Sequence, residues 1–510
     1  MANQSENNRR IAKNTLMLYV RMLLMMLVSL YTSRVVLQAL GVEDFGIYSV
    51  VGGIVVLFSF INNAMVSSTQ RFLNFELGRG NEHEARRVFS ASFNVHLGIC
   101  IVLIILAETI GLILLDKYIQ IPNGREEAAF WTYQFAIVHT CIGIIRTPYN
   151  AAIIAHERMS FFAYISIIEG GLNLLVVYLL SLFAIDRLIL YSFLTVAVLL
   201  IVTLAYYGYC RRNFLMCRYS IVKDKPLYRQ LISFSGWSLF GSIATVGASQ
   251  GLNVLINVFY GVVANAAMGI ANQVNSAISR FVSSFQTAFN PQIFKSYAAD
   301  RKLYFLSLII NGSRYSYLLL FILSLPVFVF CEECLSLWLH TIPPYAVIFC
   351  RIMILYSLLD TMQNPLWISV QATGKIKHYQ ILMSILFVAV LPISFLCLRY
   401  GLPPQSVLLV RVLMQIVIYV TRIVFLQRLY GFPIRRYLSD MFSLCLPATV
   451  ASLPIPFLLS NRAHSVLEVT IVFLITIGQS LIIVYLLGMK RNEKGMILKL
   501  IKKRFNRIIT

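Results

Sequence analysis

Apolar runs of about 20 residues recur along the whole chain, separated by short polar stretches. A helix of about 20 residues crosses a hydrocarbon core of ~30 Å, so each run reads as one membrane span. The runs fall at roughly 14–38, 45–68, 90–115, 130–153, 161–183, 188–210, 231–258, 262–290, 304–330, 345–371, 380–398, 405–426, 438–459 and 465–488, fourteen in all. Hydrocarbon tolerates only internally bonded backbone, and a β-barrel would show alternating segments of ~10 residues instead. The runs therefore predict helices. The first is too long for a signal-peptide core and lacks a small-residue cleavage site, so it reads as a retained span. The fold class that follows is an all-α polytopic membrane protein with about 14 transmembrane helices.

Composition agrees. The 510 residues are 58% hydrophobic and 13% charged, against about 25% charged in soluble domains. That excludes a soluble multidomain enzyme and a disordered or fibrous chain. The net charge of +22 would suggest nucleic acid in a soluble protein, but its placement gives another reason. Segments 1–13, 69–89, 154–160, 211–230, 291–303, 374–379, 427–437 and 489–510 hold 30 of the 43 Lys and Arg residues, and the alternate loops hold five. Cytoplasmic loops collect Lys and Arg, so both termini are expected in the cytoplasm and no nucleic acid is called for. No loop is long enough for a soluble domain, and no G-x-x-x-x-G-K-[ST] phosphate loop occurs. In the basic tail 489–510, Ile497, Leu500, Ile501, Phe505 and Ile508 share one face, which predicts a surface helix on anionic lipid. The nine cysteines are scattered, and the one C-x-x-C, Cys331 and Cys334, reads as an unremarkable pair, so no metal site is expected.

A shift of 217 residues brings Asn94 onto Asn311, Pro148 onto Pro365, Ala155 onto Ala372 and Arg158 onto Lys375. The shift spans six helices, an even number, so the halves keep the same orientation, as in parallel-repeat transporters. The organisation predicted is 1–210 as an N-lobe (spans 1–6), 211–426 as a C-lobe (spans 7–12), 427–488 as accessory spans 13 and 14, and 489–510 as the tail.

Eight basic residues remain inside spans, and all are arginine: Arg21, Arg34, Arg146, Arg280, Arg314, Arg351, Arg411 and Arg422. The acids that lie more than three residues from a run's end are Glu108, Glu169 and Asp360, so the interior stays cationic even if all three pair. A buried arginine costs ~2.5–3.5 kcal/mol near a helix centre on insertion scales. Near a helix end it can snorkel, which serves as a sufficient account of Arg21 and Arg422. Polar stripes accompany the others. Asn265, Asn272, Ser276, Ser279, Ser283, Gln286 and Asn290 form one continuous face of span 8 with Arg280 at its edge. Span 7 carries Ser238, Ser242, Thr245, Ser249 and Asn253, and span 2 carries Gly52, Ser59, Asn63, Ser67 and Gln70. Span 4 aligns Thr132, His139, Arg146 and Asn150, and span 12 aligns Arg411, Gln415 and Arg422. Small polar stripes also glue helices together, but amides and arginines on several spans point to a water-filled cavity. Arginine binds phosphate or carboxylate in a planar, bidentate way and stays charged when desolvated.

The residues Arg34-x-x-Leu37-x-x-Leu40-Gly41-x-x-x-Phe45-Gly46-x-Tyr48 resemble the start of bacterial polysaccharide flippases of the Wzx type, in the multidrug/oligosaccharidyl-lipid/polysaccharide (MOP) exporter superfamily. The stretches "NAAIIAHERM", "FNPQIFKSYA" and "ISVQATGKIK" look like that family too. The resemblance implies two six-helix lobes in a V, with two extra helices, in the bacterial inner membrane. It implies a non-enzymatic flippase that moves undecaprenyl-pyrophosphate-linked oligosaccharide to the outer leaflet by alternating access, serving O-antigen, capsule or another surface glycan. On this reading Arg34, Arg146, Arg280, Arg314 and Arg351 meet the pyrophosphate and acidic sugars, and Asn63, Gln70, Asn253, Asn272 and Gln286 meet sugar hydroxyls. Glu108, Glu169, Asp360 and His139 are candidates for proton or sodium coupling, or else partners of the arginines. No cofactor is expected beyond such a gradient. Partners are the lipid-linked oligosaccharide, membrane lipids and other glycan-assembly membrane proteins. Two alternatives stay open: a cation-coupled multidrug antiporter of the same superfamily, and a membrane glycan polymerase or ligase.

Overall fold

The computed structural model describes residues 2–495 except 114, 116–120, 123, 181–185, 340 and 461–465; the side chains of 2–13, 29, 30, 33, 34, 37, 42, 49, 50, 52–64, 460 and 466 also lie outside the description. The expected surface helix of the tail falls largely outside it, as do the side chains of Arg34 and Asn63. The described residues are helices and short turns without strands. The helices are α1 (Ala2–Gly78), α2 (Glu82–Leu106), α3 (Glu126–Ala155), α4 (Met159–Leu179), α5 (Arg187–Asn213), α6 (Lys225–Ala298), α7 (Lys302–Val329), α8 (Cys331–Trp338), α9 (Ala346–Thr373), α10 (Lys377–Arg399), α11 (Gln405–Tyr430), α12 (Ile434–Asp440), α13 (Leu446–Ser452), α14 (Pro454–Ser460) and α15 (Val466–Leu487).

Eleven helical stretches among the described residues are long and apolar enough to cross a bilayer. One of them is the 74-residue α6, which breaks at Gly261 into two limbs, and the 77-residue α1 breaks likewise at Gly41. Each limb exceeds the ~20 residues a crossing needs, so the two broken helices account for the fourteen spans read from the sequence. The breaks share one geometry: Gly41 has φ 81°, ψ 170° and Gly261 has φ 72°, ψ −171°. Only glycine adopts this region without strain, so each break rests on a single residue.

The breaks are part of a repeat. Left-handed turns occur at Gly41, Gly80, Gly124 and Glu157, and again at Gly261, Asp300, Tyr345 and Gly374, 217–221 residues further on. Mid-helix prolines match as well, Pro148 in α3 and Pro365 in α9. Acidic and amide caps set the helix starts in the usual way. Asn81 accepts from the Glu84 amide, Asp186 from the Leu188 and Ile189 amides, and Asp224 from the Leu227 amide.

The chain forms two compact units. Unit 1 holds residues 1–242 together with 287–302 and 371–380. In it α3 packs between α1 and α5, with Val51, Ala129, Tyr133 and Leu188 buried in the core. Unit 2 holds 243–286, 303–370 and 381–510, around a core that includes Ile256, Met268, Phe349 and Val407. Large apolar side chains such as Val262, Leu413 and Ile385 are exposed, the normal state of a surface meant for lipid rather than water. All nine cysteines are free, Cys331 and Cys334 in the first turn of α8 included.

His156, in the turn after α3, lies outside the spans. Its ring stacks on Phe214 at 4.0 Å, nearly parallel. Burial first, then the Lys295 and Arg158 charges, push its pKa down to about 4. The unfolded chain takes up this proton near pH 6.5 and the folded protein near 4, so folding loses stability as pH falls through that window. Tm measured in detergent from pH 7.5 to 4 is expected to fall less steeply for His156→Phe, which keeps the stack and removes the titration. Gly261→Ala meets nothing within 4 Å, so its cost is conformational, about 1–3 kcal/mol. It is expected to lower Tm, whereas Gly269→Ala, with ordinary helical φ and equally open surroundings, is expected to leave it unchanged or raise it.

Candidate functional site

Arginines set the problem in each unit. In unit 1, Arg146 of α3 donates from Nη1 to Glu169 Oε1 of α4 at 3.0 Å, and both side chains keep 24% of their exposure. Seven residues earlier in α3, His139 is exposed on the same face and lies within the electrostatic field of this pair. The Arg146 guanidinium stands 5.5 Å from the Tyr206 ring of α5. Arg21 of α1 joins from a fourth helix, within the field of Glu169, Tyr206 and Arg146, with its guanidinium 4.2 Å from the Phe162 ring centre. Its Nε is buried and has no hydrogen-bond partner among the described residues. Two guanidinium groups thus face one carboxylate, an excess of one positive charge from Arg21, Arg146 and Glu169. It is only partly dry, and its arginines have donors to spare, as an anion site requires. The repeat of α-helical positions showed Arg146 and His139. It gave no sign that Arg21 joins them, since Arg21 reads equally well as a snorkelling residue.

A second cluster lies in unit 2 on α9 and α11. Asp360 is exposed and accepts from Gln415 Nε2 at 2.9 Å. Arg422 donates to the Gln363 carbonyl at 2.9 Å. Arg411 lies 4.2 Å over the Tyr356 ring, with a long contact of 3.8 Å to the Met353 sulfur. Both arginines lie in the electrostatic field of Asp360. This cluster too has two guanidinium groups and one carboxylate. The stripe Arg411, Gln415, Arg422 was legible in the sequence, but its tie to Asp360 was not.

The other candidates are placed differently. Arg314 in α7 is fully buried and ion-paired to Glu493. Its Nε and Nη1 have no hydrogen-bond partner among the described residues, and the pair with Glu493, which keeps 20% of its exposure, ties α7 to the tail. The sequence hid this because Glu493 lies 179 residues away in the basic tail. Arg351 donates to the Phe328 and Val329 carbonyls at 3.1 and 3.4 Å, closing the end of α7. Gln286 is buried, donating to Ser316 Oγ and the Thr361 carbonyl and accepting from Asn364, so it ties α6, α7 and α9 together. Arg280 is exposed on α6 with no ion pair among the described residues, and Asn272 on the same limb is half-buried. Asn253 donates to Gln250 Oε1 at 2.9 Å, and Gln70 is half-buried on α1. Glu108 sits in a π-helical turn after α2 and accepts from Gln134 at 3.4 Å. Among the described residues no group of three or more His, Cys, Asp or Glu side chains could hold a metal ion.

The fold is like that of solved MATE transporters over most of the chain. An outward-facing multidrug resistance MATE family transporter superposes with a TM-score of 0.70 at 12% identity, over 82% of this chain and 95% of that one. A MATE protein in complex with MaD3S gives 0.68 at 14% identity over 82% and 95%. A MOP superfamily transporter from Pyrococcus furiosus, described as having a binding pocket of reverse polarity that suggests a different function, gives 0.67 at 13% identity over 85% and 96%. No family model and no curated protein matches the sequence.

Glu169→Gln removes the counter-charge of Arg146 and keeps an amide of the same shape. It frees Arg146 for an external anion. The rise in Tm on adding inorganic pyrophosphate is expected to be larger in Glu169→Gln than in the parent, and lost in Arg146→Ala.

Proposed function

We propose that this chain is a lipid-linked oligosaccharide flippase. It carries polyprenyl-pyrophosphate-linked glycan from the cytoplasmic to the outer leaflet of a bacterial inner membrane, by alternating access and without enzymatic chemistry. The observation that carries the reading is the excess of guanidinium over carboxylate in both arginine clusters. A site for cationic drugs calls for the opposite balance, since net positive charge repels such cargo at low dielectric. The Pyrococcus furiosus neighbour, described by the reverse polarity of its pocket, supports the view that this fold accommodates either sign of cargo.

In this reading Arg21 and Arg146 of unit 1 hold the diphosphate, and Arg411 and Arg422 form a separate site for acidic groups in unit 2. Exposed Arg280 and the amides Asn272 and Gln70 offer further contacts, and the prenyl tail stays in lipid. Glu169 acts as an internal counter-ion that the cargo displaces from Arg146. Asp360, bonded to a neutral amide rather than an arginine, and His139 are the groups for coupling to a proton gradient. The charge map puts both termini in the cytoplasm, where the substrate is made.

The test is reconstitution. Proteoliposomes should flip a fluorescent polyprenyl-pyrophosphate oligosaccharide. Arg146→Glu and Arg411→Glu should each cut the rate at least tenfold, about 1.4 kcal/mol of lost interaction, at unchanged protein level. Vesicles that instead move ethidium and leave the glycan in place would replace this reading with the antiporter.

A further inference from the structure

Segments 287–302 and 371–380 belong to the second sequence repeat but are compacted into unit 1. Two contacts hold them there. Glu157, in the turn after α3, has a fully buried side chain, and its Oε1 accepts from Lys295 Nζ and Gln292 Nε2, both at 2.7 Å. Its backbone carbonyl accepts from Asn14 at 3.3 Å. In the other contact Arg71, near the end of α1, is buried and donates from Nε to the Gln371 carbonyl at 3.2 Å. Its guanidinium lies 4.3 and 4.9 Å from the Phe72 and Phe75 ring centres.

The two contacts are related by the repeat. Glu157 and Gly374 are 217 residues apart, and both take left-handed backbone, φ 58° and 77°. Lys295 lies 34 residues beyond the Gly261 break and Arg71 lies 30 beyond the Gly41 break. The offset of four is one helical turn, so the two cations occupy the same face of equivalent arms. Each long arm therefore presses a cation into the turn of the opposite repeat. At one turn the carboxylate of Glu157 receives it. At the other the missing side chain makes the room, because a Cβ at Gly374 would stand 2.6 Å from Arg71 Nη2. Where the arms meet, Gly78 lies against the Lys295 backbone, and a Cβ there would come within 2.7 Å of its Cα.

We propose that Glu157–Lys295 and Arg71–Gly374 form a two-fold clasp that holds the basic ends of the two repeats together, and that opening the clasp is what admits cargo from that side. Removing one partner leaves a buried charge uncompensated, so the closed form should be sensitive to single changes and tolerant of an exchange. The inference rests on the alternating-access reading, but it concerns opening in the absence of cargo. Failure to move a particular glycan would leave it standing.

The test is labelling of Ser296→Cys, a buried position beside Lys295, in the full-length chain with its nine cysteines replaced. A membrane-impermeant maleimide should react slowly with the parent. Lys295→Glu or Glu157→Lys should speed the reaction at least about fivefold, and the milder Glu157→Gln should speed it less. The double exchange Glu157→Lys/Lys295→Glu should restore slow labelling. Gly374→Val, which expels Arg71, should act like the single reversals. Monodispersity in detergent identifies variants that fold, and Glu157→Gln and the exchange keep the test decisive if a reversal does not. Single variants that label as slowly as the parent would overturn the clasp, as would an exchange that labels as fast as the reversals.

Discussion

A guanidinium group at bilayer depth must be compensated, because stripping it of water costs more than a helix gains by placing it there. This chain carries eight such arginines in its apolar runs against three acids at like depth. The fold meets the shortfall in three ways. Arg314, itself fully buried, recruits an acid from outside the spans, Glu493. Arg351 and Arg422 take carbonyl oxygens. Arg146, Arg21 and Arg411 are left with shared carboxylates or aromatic faces. An aromatic face compensates a cation only weakly, by about 2 kcal/mol when desolvated. Arg21 and Arg411 are therefore where an external anion has most to offer.

Compensation also explains the acids. Glu169 and Asp360 each serve two arginines, one in each unit. A carboxylate shared in this way leaves each cluster neither fully neutralised nor bare.

The repeat supplies the scaffold, and its departures from symmetry supply the chemistry. Gly41 and Gly261 give both halves one break geometry. Equivalent turns then diverge, Glu157 offering charge where Gly374 offers space. An ancestral pair of identical turns could not form both contacts, because a carboxylate side chain at 374 would occupy the place of Arg71.

Hydrophobic run length determined the all-helical architecture, and the fourteen runs are recovered once α1 and α6 are divided at their glycines. The even repeat was legible from Pro148 and Pro365, because backbone constraints leave residue-type signatures at fixed spacing. The polar faces that hold Arg146, Arg411 and Gln415 were legible for the same reason, helical periodicity being local. Which charge meets which was not. Glu157 and Lys295 are 138 residues apart, Arg314 and Glu493 179, and nothing local distinguishes a cation aimed at water from one aimed at a distant acid. Only tertiary packing decides that, since the pairing energy depends on distance and desolvation, and both are set by which helices become neighbours.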